Sequence, residues 1–162
     1  MVIRSELPDQ PIAAVRGALS GLPRTSYEVV IKPLRYRTAP HLAALCDFEA
    51  RRIVLQVPKP FKPFKETVNY GARRKRGGRM DFTWLSENVM FRSRRDVLRF
   101  LYCHEWMHWY LHEELKRGTS AETACDRFAL HNFRRHRVTT DDADEALIRQ
   151  RHSGAASRRP AA

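Results

Sequence analysis

The residues with the most chemistry in this chain are His104-Glu105-Trp106-Met107-His108. Each residue of an α-helix advances about 100°, so histidines four apart stack one turn above the other, about 6 Å apart at Cβ. Two imidazoles so placed can grip one metal ion. Glu105 lies beside His104 around the helix, where its carboxylate reaches a water on that ion without ligating the ion itself, the position of a general base. Two histidines at this spacing also fit ordinary packing. The glutamate in second place, the apolar helical setting and the strand-like segments upstream turn the pattern into an expected zinc site, although manganese or iron can use similar ligands.

His112 continues the ladder but fails as a third ligand. It lies eight residues from His104, about 12 Å along the helix, and an ion bonded at about 2 Å to His104 and His108 cannot reach it. His112 is therefore cleft wall or surface, and Glu113 and Glu114 fall with it. The third ligand must come from another element, and Glu122 is the first choice, with Asp126 one turn later on the same face. Cys125 and His131 compete less well. Thr119-Ser120-Ala121-Glu122 is also a capping box, in which Glu122 would serve its own helix end, and spacing leaves both readings open.

With Glu122 as ligand, Asp126 has a natural task behind the metal ligands, accepting the remaining ring N–H of a ligand histidine. Two histidines and one carboxylate leave a tetrahedral zinc a fourth position for water, so the expected chemistry is peptide hydrolysis with Glu105 catalytic. Tyr70, Tyr110, His112 and His131 are unranked candidates to stabilise the oxyanion. Trp106, Trp109 and Tyr110 are expected to anchor the helix by packing, and Cys103 points into the core.

The elements that must position these groups follow from periodicity. Ser93-Arg94-Arg95-Asp96 is a capping signal, and Val97, Leu98, Leu101, Met107 and Leu111 have helical spacing to about Leu115, with Lys116-Arg117 and Gly118 as stop signals. Thr119 or Ser120 then caps a second helix to about His136, and Asp141 to Gln150 forms a short third one. Upstream, Asp9 and Pro11 open a helix over Ile12 to Leu19. Tyr27 to Arg37 reads as a strand, and Leu42–Cys46 with Ile53–Val57 as a hairpin. Lys59 to Arg79, with Pro60, Pro63, Gly77-Gly78 and the run Arg73-Arg74-Lys75-Arg76, is expected to be an exposed, mobile loop, with another strand over Met80 to Leu85. Residues 1–140 are thus expected to form a single domain, and 141–162 a short helix and a disordered basic tail.

These residues resemble a known group. His104-Glu105-x-x-His108 followed by Glu122-x-x-Cys125-Asp126-Arg127-Phe128-Ala129 is similar to the gluzincin pattern, and the compact size resembles the ImmA/IrrE family of bacterial and phage regulators. The resemblance implies an α+β, zincin-like fold in which a small, mostly antiparallel sheet packs against the metal helix and a following ligand-bearing helix. It implies His104, His108 and Glu122 as Zn2+ ligands and Glu105 as catalytic. Cys125 stands where the family has alanine, and the interval from His108 to Glu122 is short. SprT-like proteases, which act on DNA-bound proteins, share the first motif and a basic character, but their third ligand is a later histidine, which would here be His131 or His136.

Composition bounds the setting. The 162 residues carry 30 Lys and Arg against 18 Asp and Glu, a net charge of +12. Such a field attracts phosphate backbones or acidic proteins, with Arg73, Arg74, Lys75 and Arg76 as the expected nucleic-acid contact, or simply maintains solubility. Cys46, Cys103 and Cys125 are odd in number and lack Cys-x-x-Cys spacing, which fits reduced thiols in a cytosol. No secretory signal or membrane span is expected. Two functions stand side by side: an intracellular regulatory protease, and a DNA-associated module of the same fold without turnover.

Overall fold

The segments richest in β-branched residues become the centre of a sheet. In a computed structural model, which describes residues 1–74, 82–118 and 121–155, the chain runs β1 (Ile3–Ser5), α1 (Ile12–Ala18), β2 (Glu28–Leu34), β3 (Ala43–Asp47), β4 (Arg52–Pro58), β5 (Phe64–Arg74) and β6 (Phe82–Phe91). Then come α2 (Arg94–Trp109), a π-helical turn (Tyr110–Glu114), α3 (Glu122–Asn132) and α4 (Thr140–Ala155). The class is α+β. Four strands form one sheet in the order β1-β2-β4-β3, and β5 and β6 form a separate hairpin. Among the described residues no helix is long and apolar enough to cross a membrane.

The four-stranded sheet is mixed, which corrects the expectation of a mostly antiparallel one. β1 and β4 both run parallel to β2, in register Ile3↔Val29 and Ile31↔Leu55, and only β3 is antiparallel, through Leu45↔Val54. The hairpin β3–β4 itself stands as expected. From β2 the chain crosses to the far edge before turning back, and that return makes β4 parallel to β2. Local periodicity cannot reveal such a crossing. Val29, Val30, Ile31, Ile53 and Leu55 are fully buried or nearly so, because a central parallel pair is covered on both faces. Each such side chain contributes about 1.5–3 kcal/mol on burial.

The stretch expected as a mobile loop contains β5. Phe64 and Val68 point into the core, and Phe64 pairs with Phe91 across the hairpin, their rings 5.2 Å apart. The prolines before it and the arginines after it obscured this alternation, since only pairing with β6 makes the segment a strand. Lys75, Arg76, Gly77 and Gly78 lie outside the described residues. At the register shift between Asn69 and Gly71 the Tyr70 carbonyl accepts from Arg127 Nε and Nη2, at 3.1 and 2.8 Å, which ties the hairpin to α3.

α1, α2 and α3 meet on Arg99, which is 3 % exposed. Its Nε donates to the Phe133 carbonyl (2.6 Å), Nη1 to those of Ala18 and Ser20 (2.8 and 2.9 Å) and Nη2 to that of Arg135. A buried cation thus faces the carbonyl ends of α1 and α3, where the helix dipoles are negative. α4 packs beyond α3, burying Ala143, Ala146 and Leu147 in the same core.

Helix limits differ from the sequence reading in three places. α3 stops at Asn132 rather than near His136, α4 runs to Ala155 rather than Gln150, and the regular helix expected to Leu115 opens into the π turn at Tyr110. The reversal that follows is made by Lys116, at φ 50°, and not by Gly118.

Candidate metal centre

α2 presents the motif because its other sides are fully occupied. Ser93 Oγ accepts the Asp96 N–H at 3.1 Å, and Asp96 Oδ2 accepts the Arg92 N–H at 3.1 Å, so the helix starts where the capping signal indicates. Val97, Leu98, Leu101, Tyr102, Cys103, Trp106 and Met107 are buried. Trp106 Nε1 donates to the Arg24 carbonyl (2.9 Å), and its ring stacks on Tyr110 and packs against Phe128. The aromatic residues of the motif region therefore lock the helix by packing, as expected. One stripe remains toward the cleft, carrying His104, Glu105 and His108.

The imidazole Nε2 atoms of His104 and His108 lie 3.1 Å apart. Glu122, at the start of α3, brings Oε2 to 3.3 Å from His104 Nε2 and Oε1 to 3.4 Å from His108 Nε2. Among the described residues these three form the group whose donor atoms converge, all within 4.8 Å of one another. Ligand atoms bonded at about 2.0–2.1 Å to a tetrahedral zinc stand about 3.3 Å apart, so this donor set fits such an ion without rearrangement. Both Glu122 oxygens are turned to the histidines; Thr119 and Ser120, the partners in the capping-box reading, lie outside the described residues.

Asp126 stands one turn beyond Glu122 and places Oδ1 2.9 Å from His104 Nδ1. A proton on Nδ1, donated to Asp126, leaves the Nε2 lone pair facing the shared point. Burial alone would push the His104 imidazole down, but Asp126 and Glu122 outweigh it and carry its pKa up to about 10. His108 is held below the ordinary imidazole range by burial and by its neighbour His104. The two carboxylates thus create a site that favours positive charge.

Glu105 is 6 % exposed and is not among the converging donors. Burial pushes its carboxyl up to about 7, His104 works against the rise, Glu122 adds to it, and a backbone hydrogen bond from Cys46 opposes it. The Cys46 thiol is pushed up to about 12 by burial and then by Glu105. All three cysteines are buried and free.

The centre opens into a cleft of about 470 Å³. One wall is the edge strand β3, through Ala44, Leu45 and Cys46; the other carries Leu111, His112, Arg117 and Gly118. His112 stacks on Phe48, ring centroids 4.1 Å apart, and so belongs to the cleft wall. Of the four oxyanion candidates only His112 lines the cleft. The Tyr110 hydroxyl is turned to Asp144 at 3.0 Å, and Tyr70 and His131 do not line it. His131 is exposed on the last turn of α3, nine residues beyond Glu122, and the His136 carbonyl packs toward Gly21, so neither later histidine joins the converging group.

Sequence reading missed Phe48, Leu45 and Arg117 as cleft residues. Phe48 sits in a polar turn and Arg117 beside a helix stop, where neither carries a local signal; only the docking of the β3–β4 turn on the π turn brings them together. Arg51 and Tyr27 fasten that docking through Glu113, by an ion pair at 3.7 Å and a short hydroxyl hydrogen bond. Comparison of the chain with protein-family models, with curated proteins and with solved structures finds no match to any of them.

Proposed function

We propose that this chain is a zinc-dependent metallopeptidase of the gluzincin type, with His104, His108 and Glu122 as ligands and Glu105 as general base. The observation that carries the reading is the convergence of two imidazoles and a carboxylate from the next helix, with a buried, non-ligating glutamate beside them. An N/N/O set that leaves a coordination position open suits catalytic rather than structural zinc. The resemblance to the ImmA/IrrE group supports the same assignment and a zincin-like fold. A bound zinc ion would supply Lewis-acid chemistry, polarising a peptide carbonyl and acidifying water.

The chain's own residues account for the remaining steps. Glu105, with a carboxyl poised near neutrality, takes the proton of the attacking water and returns it to the leaving amine. Asp126 holds the His104 ring in the tautomer that ligation needs. β3 is an edge strand beside the centre, so an extended peptide can add to it by main-chain hydrogen bonds and pass its carbonyl group across the cleft. An intracellular regulatory role belongs to the same proposal and is supported by the three free thiols.

The test is zinc content and proteolysis of an unstructured protein by wild type and Glu105→Gln. The expected result is zinc retained in both and cleavage only by wild type. Equal cleavage by the variant, or a wild-type protein that takes up no zinc, would overturn the assignment. Zinc retained with no cleavage by either protein would point to a silent module.

A further inference from the structure

Away from the cleft, the fold gathers arginines that the sequence scatters. Arg92 and Arg95 flank the first turn of α2, and Arg134 and Arg137 lie in the segment after α3; all four are exposed. Three contacts hold these segments together. Arg134 Nη2 donates to the Met90 carbonyl at 2.9 Å, two residues before Arg92. Buried Arg99, one turn after Arg95, binds the Phe133 and Arg135 carbonyls. The Val138 N–H donates to the Gly21 carbonyl at 2.8 Å, which pins the far end of the segment.

The acidic groups of the same region are committed elsewhere. Asp96 Oδ2 accepts the Arg92 backbone N–H in the helix cap, Asp9 pairs with Arg94 at 2.8 Å, and Asp142 pairs with Arg135 at 2.6 Å. The face lies at the opposite end of both site helices from the centre. Arg95 precedes His104 by about 13 Å of helix, and the segment 134–137 begins beyond about 15 Å of α3 from Glu122.

We infer that this face binds the phosphate backbone of a double-stranded nucleic acid. Guanidinium groups match phosphate oxygens in a two-pronged geometry, and all four cations here are arginine although the chain also has lysines. An anionic membrane is the weaker match: among the described residues the large exposed apolar side chains are Met1, Val2, Ile12, Leu45, Phe48, Trp84 and Ile148, and none lies in segments 92–96 or 133–138. The inference is independent of the metal centre. It does not draw on Arg73 to Arg76, of which Lys75 and Arg76 lie outside the described residues. A chain bound by this face keeps its cleft open.

The experiment is fluorescence anisotropy of a labelled 20-base-pair duplex with the full chain across a salt series. Arg95→Gln/Arg137→Gln is compared with Arg35→Gln/Arg37→Gln, which removes the same charge from another exposed segment. Wild type binds at about 50 mM salt, and the first variant loses about two contacts' worth of salt dependence, a log–log slope smaller by about 1.8, while the second stays near wild type. Far-UV circular dichroism checks that both variants fold. Three outcomes would each overturn the inference: no duplex binding by wild type, equal losses in the two variants, or binding of phosphatidylserine vesicles in place of the duplex.

Discussion

Replacing Asp126 by asparagine removes a charge while keeping the shape of the group that holds His104. Asp126 Oδ1 lies 2.9 Å from His104 Nδ1, and an asparagine oxygen can still accept there, so the ring keeps its place and loses only the carboxylate behind it. Partners of this kind alter metal affinity by about 10–100-fold, or about 1.4–2.7 kcal/mol. With free zinc fixed at 100 times the wild-type Kd, binding stabilises wild type by about 2.7 kcal/mol. A variant about 30-fold weaker retains about 0.9 kcal/mol of that at the same zinc concentration. For a chain of this size the zinc-induced rise in Tm should therefore shrink by about 4–7 °C. The assay is competition with a chromophoric chelator, paired with thermal unfolding in buffered zinc and in chelator. A variant Kd within about threefold of wild type would refute the reasoning, because the Asp126–His104 bond would then do nothing for the metal.

Three further predictions concern the frame around the centre. Arg99→Met strands the carbonyls of Phe133, Ala18, Ser20 and Arg135, and should cost about 3–5 kcal/mol in urea unfolding; a loss under about 1 kcal/mol would show that the buried guanidinium is not what joins the three helices. Gly21 sits at φ +79° and an added Cβ would meet the His136 carbonyl oxygen at 1.8 Å, whereas one at Gly17 meets nothing within 4 Å, so Gly21→Ala should destabilise by at least about 2 kcal/mol and Gly17→Ala should stabilise slightly; equal unfolding midpoints would contradict this. Burial raises the Asp142 carboxyl, but the Thr139 N–H and Arg135 outweigh it and hold its pKa below the usual value. Its contribution is then present above the unfolded carboxylate pKa and disappears as pH falls through the lower, folded one. Asp142→Asn should accordingly cost about 1 kcal/mol at pH 7, and its gap from wild type should close on acidification; a gap constant with pH would exclude the linkage.

How much of this was legible beforehand depends on the range of the interactions involved. The spacing of His104, Glu105 and His108, the cap at Ser93 and the runs of Val and Ile in β2 and β4 are local signals. Helical period, capping and β-branching act over a few residues, so the motif, with Glu105 in second place, and most strands could be read directly from the chain. Glu122 was legible only as a candidate, because a capping box and a ligand present the same letters. The turn at Lys116, non-glycine and at positive φ, was hidden behind the more usual stop at Gly118.

Tertiary structure decided everything that required distant segments to meet. It turned Glu122 toward both imidazoles and Asp126 toward His104, and left His131 at the far end of α3. It made the central pair of strands parallel by carrying the chain across to the sheet edge, and it built a cleft wall from Phe48, Leu45 and Arg117. The same long-range packing tied Arg134 to the Met90 carbonyl and Arg99 to the carbonyls of Phe133 and Arg135, joining the start of α2 to the segment after α3. Sequence by itself determined which side chains could do chemistry, because that depends on functional groups and local period. Which of them share a point in space depends on how helices and strands pack, and packing is chosen by the burial of the whole core rather than by any short stretch of chain.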